Sequence, residues 1–151
     1  MVMKTPALTP LISNMPPRRS RAREVVLQVL YREDLNPSHD PQSIERFVSG
    51  RLRNRPELVA FAMSLVGGVL RNREELDQLL EARAANWSLE RMAVTDRNVL
   101  RLGVYEILYT QTPGRVVINE AVELARRFGT QHSSQFVNGI LDPFLQERDR
   151  D

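Results

Sequence analysis

From Arg18 to about Leu145, apolar residues return every three or four positions, with charged and amide side chains between them. That is the period of helices with one buried face. Ala22, Val25, Val26, Val29 and Leu30 form the first stripe, and Arg21, Glu24, Gln28 and Tyr31 fall opposite it. The first helix therefore runs from about Arg18 or Arg19 to Leu35, where Asn36-Pro37 signals a turn. Asp40-Pro41 reads as an N-cap followed by proline in the first helical position, opening a helix to about Gly50. Pro56 opens a third, whose apolar face runs from Leu58 and Phe61 to Val69 and Leu70. Gly67-Gly68 inside that face costs about 1 kcal/mol of helix propensity per glycine. Close approach of a neighbouring helix is the simplest compensation.

Helical spacing continues from Asn72 to about Ala85 through Leu76, Leu79 and Leu80, and Asn86-Trp87-Ser88 breaks it. Ser88 can cap a short segment around Leu89 to Met92, and Thr95 or Asp96 can cap the most apolar helix. Val99, Leu100, Gly103, Val104, Ile107 and Leu108 suit the centre of a bundle, and Thr112-Pro113-Gly114 ends that helix. The sixth runs from Val116 to Phe128 with Ile118, Ala121, Val122, Ala125 and Phe128 inward, and Gly129 closes it as a C′ residue. Ser133 or Ser134 caps the last helix, in which Pro143 should produce a kink or an early end. No stretch alternates as a strand would. The expected fold is all-α, with about seven helices in one bundle-like domain or two small packed halves. Residues 1–17, with Pro6, Pro10, Pro16 and Pro17 and no periodicity, read as a disordered leader. Residues 18–147 then form the domain and 148–151 a frayed tail.

Composition adds mainly exclusions. At 151 residues the chain can bury roughly two thirds of its unfolded surface. Its 42% hydrophobic and 26% charged content suits a soluble globular protein. With no cysteine there is no disulfide, thiolate site or thiol nucleophile. His39 and His132 show no ligand spacing, and Gly67-Gly68 lacks the Lys-Ser/Thr of a phosphate loop. Paired acids such as Glu74-Glu75 read as solvated helix faces. Neither a catalytic set, a metal site nor a cofactor is expected. No apolar run approaches the ~20 residues of a membrane span, and Leu11-Ile12 is too short for a signal core, so a cytoplasmic protein is expected.

Charge changes the picture more. The net charge is +2, yet residues 1–23 hold Lys4, Arg18, Arg19, Arg21 and Arg23 and no acid, so the rest is net negative. Basic arms of this kind often meet nucleic acid. Tyr31 lies on the polar face of the same helix. Arginines for phosphates and an exposed ring for a base are what a single strand requires. A disordered basic tail beside a solvent-lying tyrosine is the plain alternative. Arg51 to Arg55, RLRNR, is a second basic cluster; its functional reading is a further phosphate contact, and the plainer reading, taken here, is a solvated loop. Phe136 sits at the edge of the last apolar stripe after a polar helix start, His132 to Gln135, whose N–H groups can hold a phosphate. It could equally be a rim residue covering the core. Asn119 and Asn138 interrupt apolar helices and, if buried, need hydrogen bonds.

Five blocks then resemble one family. RRSRAREVVLQVLY (18–31), LVGGVLRNREELD (65–77), NWSLERMAVTDRNVLRLGVYEILY (86–109), VVINEAVELARRFG (116–129) and FVNGILD (136–142) resemble the NusB family of antitermination and rRNA-processing factors, in order and spacing. The resemblance implies an all-helical, RNA-binding fold of two halves. It also implies binding of single-stranded boxA RNA of rRNA leader transcripts, jointly with ribosomal protein NusE, on the RNA polymerase elongation complex. Arg19, Arg21 and Arg23 would form its arginine-rich arm, with Arg18 of the same basic run counted as a further RNA-binding residue, and Tyr31 its first-helix tyrosine. Gln135 and Phe136 stand where the family meets RNA, and Asp96 at an acidic position on the NusE side. Ser20 interrupts the basic run, and Gln135 replaces a residue that is basic in many members. A protein-only scaffold within a transcription complex is the alternative function, and a homodimer is compatible with the resemblance. Four engaged arginines predict a log–log salt slope near roughly −3. The reading requires Tyr31 and Phe136 to share one open surface at the basic end.

Overall fold

The computed structural model describes residues 18–38, 40–84 and 86–150; the expected leader at 1–17 lies outside them. Seven helices follow: α1 Arg18–Leu35, α2 Pro41–Arg51, α3 Pro56–Arg71, α4 Arg73–Arg83, α5 Val94–Tyr109, α6 Gly114–Phe128 and α7 Ser133–Arg150. A 3-10 turn, Leu89–Arg91, precedes α5. There is no strand among the described residues.

The apolar periodicity sets the packing. Helix α1 lies against α3 and α5, and α5 also carries the α6–α7 hairpin and α4. Helix α5 thus belongs to both halves, α1–α3 and α4–α7, and its Val99, Leu100, Val104 and Ile107 are fully buried. Two glycines permit this density. A Cβ on Gly68 would collide with the Tyr105 ring, so α3 and α5 approach as the glycine pair suggested. A Cβ on Gly103 would stand 2.6 Å from Leu141 Cδ1, where α7 crosses α5. Gly67 meets only the Arg71 guanidinium.

A polar clamp joins the halves behind this core. Asp34, at the end of α1, accepts from Arg97 Nε at 2.7 Å, Asn98 Nδ2 at 2.9 Å and Arg101 Nη1 at 3.0 Å. Arg101 also grips Asp77 of α4 through Nε at 2.7 Å. Burial alone would raise the Asp34 carboxyl, but the Arg97 and Asn98 hydrogen bonds and the Arg101 and Arg97 charges bring its pKa to about 2.

Several local expectations are corrected. Helix α5 starts at Val94 with Ala93 as N-cap, so neither Thr95 nor Asp96 caps it. Gly129 follows α6 at φ −99°, outside the left-handed region; its Cβ position is filled by the Ser133 side chain instead. Helix α7 runs through Pro143 to Arg150. Pro143 is exposed, and Arg148 Nη1 donates to the Ile107 carbonyl at 3.2 Å, which ties the last turns of α7 to α5. Asn119 and Asn138 are exposed, as are Leu108 and Phe128, which the stripe had placed inward. No helix of the described residues is long and apolar enough to cross a membrane.

Candidate nucleic-acid interface

The four arginines at the start of α1 are helical and do four different things. Arg18 is exposed, 3.7 Å from Glu57. Arg19 is exposed and lays its guanidinium over the Phe61 ring of α3, 4.5 Å from the centroid. Arg21 is partly exposed and contacts Glu24 at 3.1 Å. Arg23 turns inward and is only 3% exposed. Its Nε and Nη2 donate to the two oxygens of Glu106, each at 2.8 Å, and Nη1 donates to Glu120 at 3.3 Å. Burial opposes its charge, but the two carboxylates outweigh that and raise its pKa. Ser20 completes the cluster by donating to Glu120 at 2.6 Å. The expected four-arginine arm therefore has three members at the surface, and Arg23 ties α1 to α5 and α6.

Two open cavities adjoin α1. One, about 610 Å³, lies between Arg19, Ser20, Phe61, Thr110, Thr112 and Val116. The other, about 400 Å³, is walled by Gln28, Tyr31, Arg32, Phe47, Arg51 and Phe128, with Thr95 at its edge. Tyr31 is 41% and Phe128 42% exposed, so two rings face solvent around one hollow. Phe47 forms its third aromatic wall, with the guanidinium of Arg32 4.6 Å and that of Arg51 5.0 Å from its ring centre. Arg32 and Arg51 have no carboxylate partner among the described residues, whereas Glu24 in the same wall is neutralised by Arg21 and Arg127. The hollow therefore combines flat apolar surface with unneutralised positive charge, the two properties that hold a base and its phosphate.

The remaining expected residues stand elsewhere. Phe136 is half-buried, meets the Trp87 ring edge-on at 5.1 Å and does not line the Tyr31 cavity, so the expectation that the two rings share that one open surface is not met. Gln135 beside it is exposed. Trp87 is 59% exposed, so this pair is a second aromatic surface. Asp96 is in the first turn of α5, where the helix dipole favours a carboxylate. Its Oδ1 is buried without a hydrogen-bond partner, one residue from cavity-lining Thr95. Sequence reasoning missed Arg32, Phe47 and Phe128, and it took Arg51 with the RLRNR cluster as solvated loop. Phe47 and Arg51 are four apart on one helix, a spacing that places side chains together. Phe128 had only the adjacent Arg126-Arg127 as a signal. Among the described residues no group of three or more His, Asp or Glu is placed to hold a metal.

The model of the NusB family matches residues 20–146 of the chain. Transcription antitermination protein NusB of Anaeromyxobacter dehalogenans (strain 2CP-1) is 45% identical over 128 residues, covering 85% of this chain and 90% of that protein. The NusB of Myxococcus xanthus is 44% identical over 128 residues, covering 82% and 91%. The solved T. maritima NusB superposes with a TM-score of 0.77 at 36% identity, covering 87% of this chain and 92% of its own. A chain from the structure of antitermination factors NusB and NusE in complex with dsRNA gives 0.75 at 30% identity, covering 88% and 99%.

Proposed function

The chain belongs to the NusB family, and from that premise we propose that it is a transcription antitermination factor that binds single-stranded boxA RNA of rRNA leader transcripts together with ribosomal protein NusE. It acts there on elongating RNA polymerase, in the cytoplasm, as an adaptor without chemistry of its own. The observation that carries the reading is the hollow beside Tyr31, where Tyr31, Phe47 and Phe128 surround an open space large enough for a base and Arg32 and Arg51 supply unpaired charge.

In this reading Arg19 and Arg21, with Arg18 behind them, hold phosphates at the start of α1. Tyr31 and Phe128 stack a base. Gln135 and Phe136, with Trp87, offer a second stacking surface. Arg23 orients α1 without touching RNA. Asp96 faces NusE, where its unpartnered buried oxygen gains a donor in the complex. With three surface arginines at the arm, their share of the log–log salt slope is about −2, at about −0.7 per single-strand phosphate.

The test is fluorescence anisotropy of labelled boxA RNA against the protein, with and without NusE, over a salt series. The reading expects NusE to tighten RNA binding and an unlabelled single strand to compete better than its duplex. RNA affinity indifferent to NusE sinks it. A protein-only scaffold is the second reading, favoured by the carboxylate partners of Arg18, Arg21 and Arg23. It expects charge reversal of Arg19 and Arg21 to leave assembly on RNA unchanged.

A further inference from the structure

The turn between α2 and α3 carries Arg53 and Arg55, and we propose that it is a second phosphate-binding segment, by which the RNA leaves the Tyr31 hollow. This rests on the RNA-binding reading above and extends it to a surface outside the five blocks that carry the family resemblance. Residues 46–55 hold four arginines and no acid. Arg46, Arg51, Arg53 and Arg55 are all exposed, and none lies within ion-pair distance of a carboxylate among the described residues. Most other arginines of the chain have such a partner, including Arg18, Arg97 and Arg127. The one acid on the adjoining groove of α2 is Glu45.

The backbone of this turn leaves the right-handed region where α2 ends. Arg53 and Asn54 adopt φ of 54° and 55°, the left-handed region. Asparagine tolerates it; arginine gains nothing from it. Left-handed residues after a helix are held by hydrogen bonds back to its last turn. Here buried Leu52 anchors the turn, Leu52 N–H donates to the Val48 carbonyl at 2.9 Å, and Asn54 N–H donates to the Ser49 carbonyl at 2.8 Å. The backbone amides are thus occupied, and it is the guanidinium groups that remain available to an anion. A rigid turn also lowers the ordering cost of each contact.

Continuity fixes the occupant. Arg51, the last residue of α2, lies on the Phe47 ring inside the hollow, and Arg53 and Arg55 follow it in sequence on the turn beyond, outside the hollow's lining. A strand whose base sits against Tyr31 has its next phosphates led onto this turn. A row of unpaired guanidinium groups beside aromatic rings fits a polyanion carrying bases better than an acidic peptide.

The experiment compares a minimal boxA RNA with one extended by about ten nucleotides on each side, both with NusE present. It uses wild type and the Arg53→Asn/Arg55→Gln double variant. Asparagine suits the left-handed backbone, so the fold is retained; should it fail, Arg55→Gln alone replaces it. For the extended RNA, the double variant is expected to bind more weakly and to have a salt slope shallower by about 1.4, or about 0.7 for the single variant. The minimal RNA should bind both proteins alike. Equal slopes on the extended RNA overturn the proposal and leave the adaptor reading standing. Loss of NusE affinity without RNA overturns it in favour of a protein contact. A wild type that binds neither RNA defeats the adaptor reading, and this proposal with it.

Discussion

Arg23 is the buried, structural member of the basic segment, and its replacement has a calculable cost. The guanidinium and its partner Glu106 are 3% and 2% exposed, joined by two hydrogen bonds of 2.8 Å, with a third to Glu120 at 3.3 Å. Arg23→Met leaves the Glu106 carboxylate buried and without its bidentate partner. Breaking a buried pair from one side costs about 3–5 kcal/mol. Total stability for a domain is about 5–15 kcal/mol, so the variant should be marginal at 37 °C. Replacing both partners removes the stranded charge. Arg23→Met/Glu106→Leu should therefore recover most of the loss, since apolar substitutes for buried pairs are often neutral. Urea melts of the four proteins in the double-mutant cycle give the coupling energy. Salt-dependent RNA binding by the folded double variant should keep the wild-type slope. If Arg23→Met is as stable as wild type, or if the double variant's slope falls by about 0.7, Arg23 is a phosphate contact and the structural assignment is wrong.

Asp34 should make the protein acid-sensitive in a definite window. Its folded pKa, about 2, lies below the unfolded value, so its stabilisation is fully present above about pH 4 and is lost as pH falls through 2. The shift corresponds to about 2.5 kcal/mol, and the stability gap between wild type and Asp34→Asn, from urea melts, should narrow over that range. Gly103→Ala should lower stability by about 1–3 kcal/mol, because the new Cβ would stand 2.6 Å from Leu141 Cδ1; an unchanged thermal midpoint would contradict the close α5–α7 crossing. Phe128→Ala should weaken RNA binding several-fold with little loss of stability, since the ring is 42% exposed; a melt shifted like a core truncation would place the ring in the core instead.

The helices were legible because their apolar stripes repeat locally, and α1, α2 and α3 begin and end close to where turn signals put them. Side chains whose environment is set by distant residues were not. Arg23 is three before Val26 and seven before Leu30, which puts it on the apolar face, yet its partner Glu106 is 83 residues away and invisible to a local pattern. Pro143 looked like a helix breaker; its exposed side and the docking of Arg148 on the Ile107 carbonyl keep α7 continuous. Phe128 obeyed the stripe of α6 but sits at its last residue, where it is 42% exposed. Of the candidate site, the arginines and Tyr31 were readable as cation and exposed ring on one helix. The hollow itself, made by α1, α2 and α6 with Thr95 of α5, required the fold.

In the proposed function an open aromatic wall at Tyr31 takes a base while arginines take phosphates. The direct measurement is anisotropy of labelled boxA RNA with saturating NusE, for wild type and Tyr31→Ala, across a salt series. Stacking worth about 1–3 kcal/mol predicts an affinity loss of about 5- to 150-fold with the salt slope unchanged. Equal affinities, or a loss that appears only as a shallower slope, would contradict it.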